Sequence, residues 1–404
     1  MANRRSFLKR TASYLPGTAL LSTLEGCTTA PISYDGRDWF REIGVKPFIN
    51  AAAAYSALGG RNMWPEVVAA MEYARTRNVI MEELQDAVGR RLAQLIGCEA
   101  AMVTSGATSA MTLGTAACVT GTNVDLISHV PDLRGMKNEV IVLRSHRYSY
   151  DHGVRSCGVR FVEVDTLEEI DEAVTERTAM LFFCKIMEDN SPVSLREFAS
   201  KGSELGIPSL IDGSNTVPPV EGLSGYLESG FDLAAFSGGK GLRGPYSAGL
   251  LLGRSDLIEA ARLNNSPNSD TVGRAMKVSK EEILGMLAAV EVSLTYDYSV
   301  EQKRETRMVD LLADKLTAFP QIRTEVVYPV TEGGRPHLRL FWDRSVIPLS
   351  VEQAQDRLEQ GEPSIRTCYL GLADGELELG TAMLKEDEVD VVVSRVGEVL
   401  AQTS

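Results

Sequence analysis

FDLAAFSGGKGLRGPYSAGLLLG, Phe231 to Gly253, decides the reading of this chain. An apolar run, Leu233 to Phe236, stops at Ser237-Gly238-Gly239; Lys240 and Gly241 follow, and a second apolar run spans Ala248 to Leu252. Short continuous apolar runs bounded by glycine are the pattern of strands buried on both faces. A charged amine on a solvated turn needs no cleared space around it. An amine held against a bulky ligand does, and that expectation is tested below.

The strand pattern recurs upstream. AAMVT (100–104), EVIVL (139–143), VRFVEV (159–164), AMLFFC (179–184) and PSLI (208–211) join DLAAF (232–236) and AGLLL (248–252) to make seven candidates. Between them lie helical patterns such as LQDAVGRRLAQLIG, the small-residue run ATSAMTLGTAACV, TLEEIDEAV and SLREFASKGSELG. Strand alternating with helix predicts an α/β fold with a mainly parallel seven-stranded sheet covered on both faces. One long helix is expected over 279–316. Beyond Ile322, TEVVYPV and HLRLFWD mix with helices and suit a smaller α+β C-terminal domain. The expected organisation is an export signal at 1–27, an N-terminal segment at 28–60, a large domain at 61–300 and a small domain at 301–404.

The N-terminus carries Arg4-Arg5, then Phe7-Leu8-Lys9 and a mildly apolar stretch from Ala12 to Leu24. It resembles a twin-arginine export signal, which carries folded proteins to the periplasm. Leu24-Glu25-Gly26-Cys27 resembles a lipoprotein cleavage box, which would make Cys27 a lipid anchor, although Glu25 departs from the residue usual there. The other five cysteines form no CxxC pair and no metal-ligand spacing, so no metal is expected. A net charge of −14, from 41 basic and 55 acidic residues, disfavours nonspecific nucleic-acid binding.

Ligands of open parallel sheets bind beyond the carboxyl ends of the strands. Three polar signals sit there. Thr104-Ser105-Gly106-Ala107-Thr108 opens a helix, whose free N–H groups and dipole suit a phosphate. Asp212-Gly213-Ser214 ends the strand PSLI, and Ser237-Gly238-Gly239-Lys240 ends DLAAF. Lys240 is followed by Gly241, not the Ser or Thr of a nucleotide P-loop. A phosphate nest, a strand-end carboxylate and a lysine among glycines together specify pyridoxal 5'-phosphate (PLP). The nest takes the phosphate, Asp212 the ring N–H, and Lys240 the aldehyde as a Schiff base.

The segments PFINAAAAYSALGG, TSGATSAM, HRYSYDH, LIDGSNTVPPVEGL, FSGGKGLRGPYSAGLLLG and GRAMKVSKEEILGMLAAVE carry a resemblance to fold-type-I PLP enzymes over nearly all of the mature chain. Within them it resembles the branch of selenocysteine synthase and the glucosaminate-phosphate ammonia-lyases. That resemblance implies roles. Lys240 would bind the cofactor and take the Cα proton, and Asp212 would keep the ring nitrogen protonated. Ser105, Gly106, Ala107, Ser214 and Ser237 would complete the cofactor site, and His146 would stack on the ring. Arg274 and Lys277 would hold a substrate phosphate or carboxylate, Arg366 the substrate α-carboxylate, and Arg61 would meet the substrate from a segment that closes over the site; Tyr148, Asp151 and His152 are weaker candidates for substrate contact. A homodimer or higher homo-oligomer is expected.

Four functions remain open at this level. The favoured one is an amino-acid or amino-sugar-acid lyase of the ammonia-lyase type, working by Cα deprotonation and β-elimination. A racemase or epimerase would need a second proton donor. Selenium transfer on charged tRNA conflicts with the negative charge and the export signal. A non-catalytic surface lipoprotein would have no use for lysine, aspartate and nest together.

Overall fold

The computed structural model describes residues 36–215, 222–328, 334–369 and 376–401. The export signal and Cys27 lie outside them. The chain divides at Pro47–Phe48 into two compact units. The first carries the short helix Trp39–Glu42, capped by Asp38, whose carboxylate accepts from the Arg41 N–H at 3.1 Å.

In the second unit the strands are β1 (Phe48–Ala51), β2 (Ala100–Thr104), β3 (Glu139–Leu143), β4 (Arg160–Val164), β5 (Thr178–Cys184), β6 (Ser209–Asp212), β7 (Leu233–Ser237), β8 (Gly249–Gly253), β9 (Ile322–Val327), β10 (His337–Trp342), β11 (Ser364–Thr367) and β12 (Leu377–Gly380). Seven form one sheet in the order β2-β8-β7-β6-β5-β3-β4. All run parallel except β8, which is antiparallel to both neighbours. This is the expected mainly parallel sheet of a fold-type-I large domain.

Successive residues of a strand point to opposite faces, and the packing follows. Phe183 and Ile141 join a core with Leu92 and Met286, whereas Phe182 and Val140 join another with Met111 and Leu251. β3, β5 and β8 are buried at every position, which is why they read as unbroken apolar runs. The helix SLREFASKGSEL starts at a capping box, Ser194 with Glu197.

A third core unites Ile49, Leu312, Leu338, Ile365, Leu379 and Val396. It lies between the antiparallel sheet β12-β10-β9, the parallel pair β1-β11 and the flanking helices. Two expectations need correction. Residues 48–51, assigned to a separate N-terminal segment, are a strand of this small core, because β1 pairs with β11 in register Phe48↔Ser364 to Ala51↔Thr367. The single long helix is two, Lys280–Thr295 and Tyr298–Leu316, bent by 81°. Asp297 caps the second, accepting from the Ser299 N–H at 3.0 Å, and Tyr296 packs on the Trp64 ring at 4.7 Å. The break lets the first helix bury Ile283 and Met286 under the large sheet while the second buries Leu312 and Leu316 in the small core.

Candidate cofactor site

The carboxyl ends of β2, β6 and β7 converge. Ser105, Gly106, Ala107, Thr108, Asp212, Ser214, Ser237 and Lys240 all line one cavity of 310 Å³. β2 and β7 flank β8, so the phosphate nest and the lysine turn face each other across one antiparallel strand.

The lysine turn is built from its own backbone. Gly238 N–H donates to Ala248 O at 2.8 Å, Gly244 N–H to Gly238 O at 2.8 Å, and Arg243 N–H to Lys240 O at 3.0 Å. A Cβ at position 238 would stand 2.7 Å from Ala248 O, and one at 239 would stand 2.7 Å from Tyr246 Cα. The clearance at these two glycines therefore admits the returning strand-β8 segment, where the sequence pattern alone suggested a ligand. The turn so folded presents Lys240 to the cavity.

At the nest, the helix Gly106–Thr120 begins at Ser105, whose side chain makes no capping hydrogen bond. Gly249 lies against it: a Cβ there would meet the Gly106 carbonyl carbon at 2.6 Å and Ala107 N at 2.9 Å. Asp212 is 5% exposed. Its Oδ1 accepts from the Ser214 N–H at 2.9 Å, and its Oδ2 accepts from the Tyr148 hydroxyl. An uncapped helix start, a carboxylate kept nearly dry and an amine on one cavity are the donor set that PLP requires, so the residues present fit that cofactor.

Other expected residues lie elsewhere. His146 is fully buried and is not among the residues lining the cavity. Its Nδ1 accepts from the Cys184 N–H at 3.1 Å, its ring packs on Phe183 at 4.1 Å, and its Nε2 has no partner among the described residues. Burial pushes its pKa down to about 4, so the ring is neutral at physiological pH. None of the four expected substrate cations lines the cavity. Arg61 is buried against Glu301 at 2.5 Å, and Arg366 pairs with Glu359 at 2.5 Å. Arg274 donates to Ser266 Oγ at 3.1 Å and, with Lys277, lines a separate 980 Å³ groove beside the helices Met81–Ile96 and Ser255–Leu263. Asp151 is clamped by Arg147 at 2.6 Å and Arg155 at 2.8 Å.

Sequence reasoning missed Tyr150, Tyr246 and Ser247, which line the cavity, and Ser56 and Gly60, which reach it from the segment after β1. Tyr246-Ser247 stood inside the opening stretch; their signal was adjacency to the lysine turn. It also missed a buried group in the small core. His337 Nδ1 lies 2.7 Å from Glu378 Oε1, Arg339 Nε donates to the other oxygen at 2.8 Å, and Cys368 Sγ is 3.7 Å from the same imidazole nitrogen.

Residues 69–326 match the family described as SelA: L-seryl-tRNA selenium transferase. A 5'-C-glycyluridine monooxygenase-decarboxylase of Streptomyces sp is 31% identical over 376 residues, covering 89% of this chain and 92% of the relative. A D-glucosaminate-6-phosphate ammonia lyase of Salmonella typhimurium is 27% identical over 374 residues, covering 89% of this chain and 97% of the relative. A solved D-glucosaminate-6-phosphate ammonia-lyase structure superposes with a TM-score of 0.79 at 24% identity, over 91% of this chain and 99% of that one. A serine palmitoyltransferase from S. paucimobilis solved with bound PLP-myriocin superposes at 0.54 with 15% identity, over 88% of each chain. The two structural likenesses speak to the fold. The chain belongs to the L-seryl-tRNA selenium transferase family.

Proposed function

We propose that this chain is a PLP-dependent lyase of the ammonia-lyase type, acting on a small amino acid or amino-sugar acid. The observation that carries the reading is the convergence of Lys240, Asp212 and the helix start at Ser105–Ala107 on one cavity. Its likeness to the Salmonella ammonia lyase supports the reaction class.

When bound, PLP supplies an electron sink for the pair left at Cα as its proton departs. Lys240 binds the cofactor and then serves as the base that takes that proton. Asp212 presents a negative charge to the ring nitrogen, in a site dry enough for the charge to count. The N–H groups at Gly106 and Ala107, with Ser105 and Ser237, hold the phosphate. Loss of a β-substituent then leaves a product that releases ammonia on hydrolysis. A racemase would need a second donor at the cavity, and Tyr150 and Tyr246 are the hydroxyls placed to be tested for it.

A second reading, oxygenation with decarboxylation, draws on the 31% identity to the Streptomyces relative. One experiment separates the two. Purified protein is incubated in deuterated water with amino acids and amino-sugar acids, and Cα exchange, ammonia, 2-oxo acid, carbon dioxide and oxygen uptake are followed. Ammonia and 2-oxo acid without oxygen uptake support the lyase; oxygen-dependent carbon dioxide overturns it. Borohydride treatment followed by peptide mapping tests the cofactor: a pyridoxyl group on Lys240 is expected, and one on another lysine rejects the assignment.

The substrate is a small molecule, not tRNA, in keeping with the charge of −14. The working form is a homodimer or larger. Tyr150 and Tyr246 are 57% and 52% exposed although they line the cavity, and the lining holds no arginine among the described residues. A second copy would cover that mouth, and sedimentation analysis of the loaded protein tests it. Arg274 and Lys277 remain candidates for anchoring the acid group of the substrate across such an interface. The enzyme is proposed to work outside the cytoplasmic membrane, exported through Arg4-Arg5 and tethered at Cys27. Fractionation of cells expressing wild type and Arg4→Lys/Arg5→Lys tests this; full-length protein in the cytoplasm in both cases rejects export.

A further inference from the structure

A carboxylate that is to face a cationic ring must stay oriented while almost no water reaches it. Asp212, at 5% exposure, has two hydrogen-bond donors that serve this. One is the Ser214 N–H on Oδ1 at 2.9 Å, a local contact two residues away. The other is the Tyr148 hydroxyl on Oδ2, from a loop 64 residues earlier in the chain. Hydrogen bonds to an ionised acceptor are about twice as strong as neutral ones, and two on one carboxylate fix both its plane and its tilt.

Ion pairs tie the Tyr148 loop to its surroundings. Asp151, 1% exposed, bridges Arg147 and Arg155. Arg147 also pairs with Glu163, and Arg144 reaches the same carboxylate at 2.8 Å. The Tyr148 ring packs against the core that holds Met111, and its oxygen lies 3.6 Å from Met111 Sδ. Cys184, at the end of β5 beside Asp212, contacts the same hydroxyl. Burial, then the Asp212 charge, pushes the Tyr148 pKa well above its ordinary value, so the hydroxyl remains a donor throughout the working pH range.

We propose that Tyr148 is a positioning residue for the cofactor: by donating to Asp212 Oδ2 it holds that carboxylate oriented where it lines the cavity, ready to meet the ring nitrogen. The inference rests on the PLP reading above. It assigns Tyr148 to the charge behind the ring and not to the substrate. A free carboxylate would have to be immobilised on each binding event, which weakens affinity roughly two- to tenfold.

The test is a double-mutant cycle read as PLP dissociation constants at neutral pH, with unfolding of the cofactor-free proteins measured alongside. Tyr148→Phe keeps the ring and removes only the hydroxyl. It is expected to weaken PLP binding about fivefold in the wild-type background and less than twofold in the Asp212→Asn background, because the effect passes through the Asp212 charge. Unchanged affinity in the wild-type background overturns the proposal. So does an equal loss in both backgrounds, which is what a merely structural tyrosine would produce. Failure of wild type to bind PLP at all is a separate result: it rejects the cofactor assignment itself.

Discussion

Arg61 and Glu301 meet in a buried ion pair, Nη2 to Oε1 at 2.5 Å, across 240 positions of sequence. The Arg61 backbone N–H also donates to Gly239 O at 2.9 Å, beside the lysine turn. One residue thus ties that turn to the helix Tyr298–Leu316 of the small core. Arg335 at 3.6 Å and Arg243 at 3.9 Å approach the same carboxylate. Burial works against the charge on Glu301, but the surrounding guanidiniums, Arg61 foremost, outweigh it and hold its pKa low.

Removing one partner of such a pair strands the other charge in a dry site. Glu301→Gln is expected to destabilise the protein by about 3 kcal/mol, and Arg61→Met/Glu301→Leu by clearly less. Chemical denaturation of the cofactor-free variants checks this; equal losses in both would mean that packing, not charge, holds the contact.

Gly249 is required by space. The atoms a Cβ would meet, Gly106 C at 2.6 Å, Phe236 O at 2.6 Å and Ala107 N at 2.9 Å, are all backbone and cannot rotate away. Gly249→Ala is expected to displace the phosphate nest and weaken PLP binding at least ~10-fold, with a stability loss of about 1–3 kcal/mol. Gly225→Ala, where a Cβ meets none of the described residues within 4 Å, is the control and should leave both unchanged or slightly improve stability.

Asp212→Ala removes the charge that the proposed site places behind the cofactor ring. PLP is expected to bind weakly still, while Cα exchange falls at least ~100-fold. Exchange by mass spectrometry in deuterated water checks it, and near-normal exchange would assign the ring nitrogen to another group.

His146 makes stability depend on pH. Its folded pKa, about 4, lies below the unfolded value, so the unfolded chain binds the proton more readily. Its contribution is complete above about pH 6.5 and erodes as pH falls toward 4, by roughly 3 kcal/mol in all. His146→Gln can still accept from the Cys184 N–H but does not titrate. Its stability should therefore fall less steeply than that of wild type over the same window, measured by denaturation at fixed pH steps.

What the sequence determined by itself was local. Runs such as AMLFFC and AGLLL read as buried strands because every residue of β5 and β8 is covered on both faces. Lys240, Asp212 and Ser105 were legible because they sit at strand ends, where backbone pairing stops and side chains face a cavity. Tertiary structure alone decided which distant groups meet. Cations read as substrate anchors are spent on carboxylates: Arg61 on Glu301, Arg366 on Glu359. Phe48–Ala51 joins the far end of the chain through β11, and the helix breaks at Tyr296-Asp297 because its two halves serve different cores. Tyr148 reaches Asp212 from another strand's loop. Periodicity reports the face a residue presents; it carries no information about its partner, which is set by how the assembled surfaces fit and by the cost of leaving a buried charge alone.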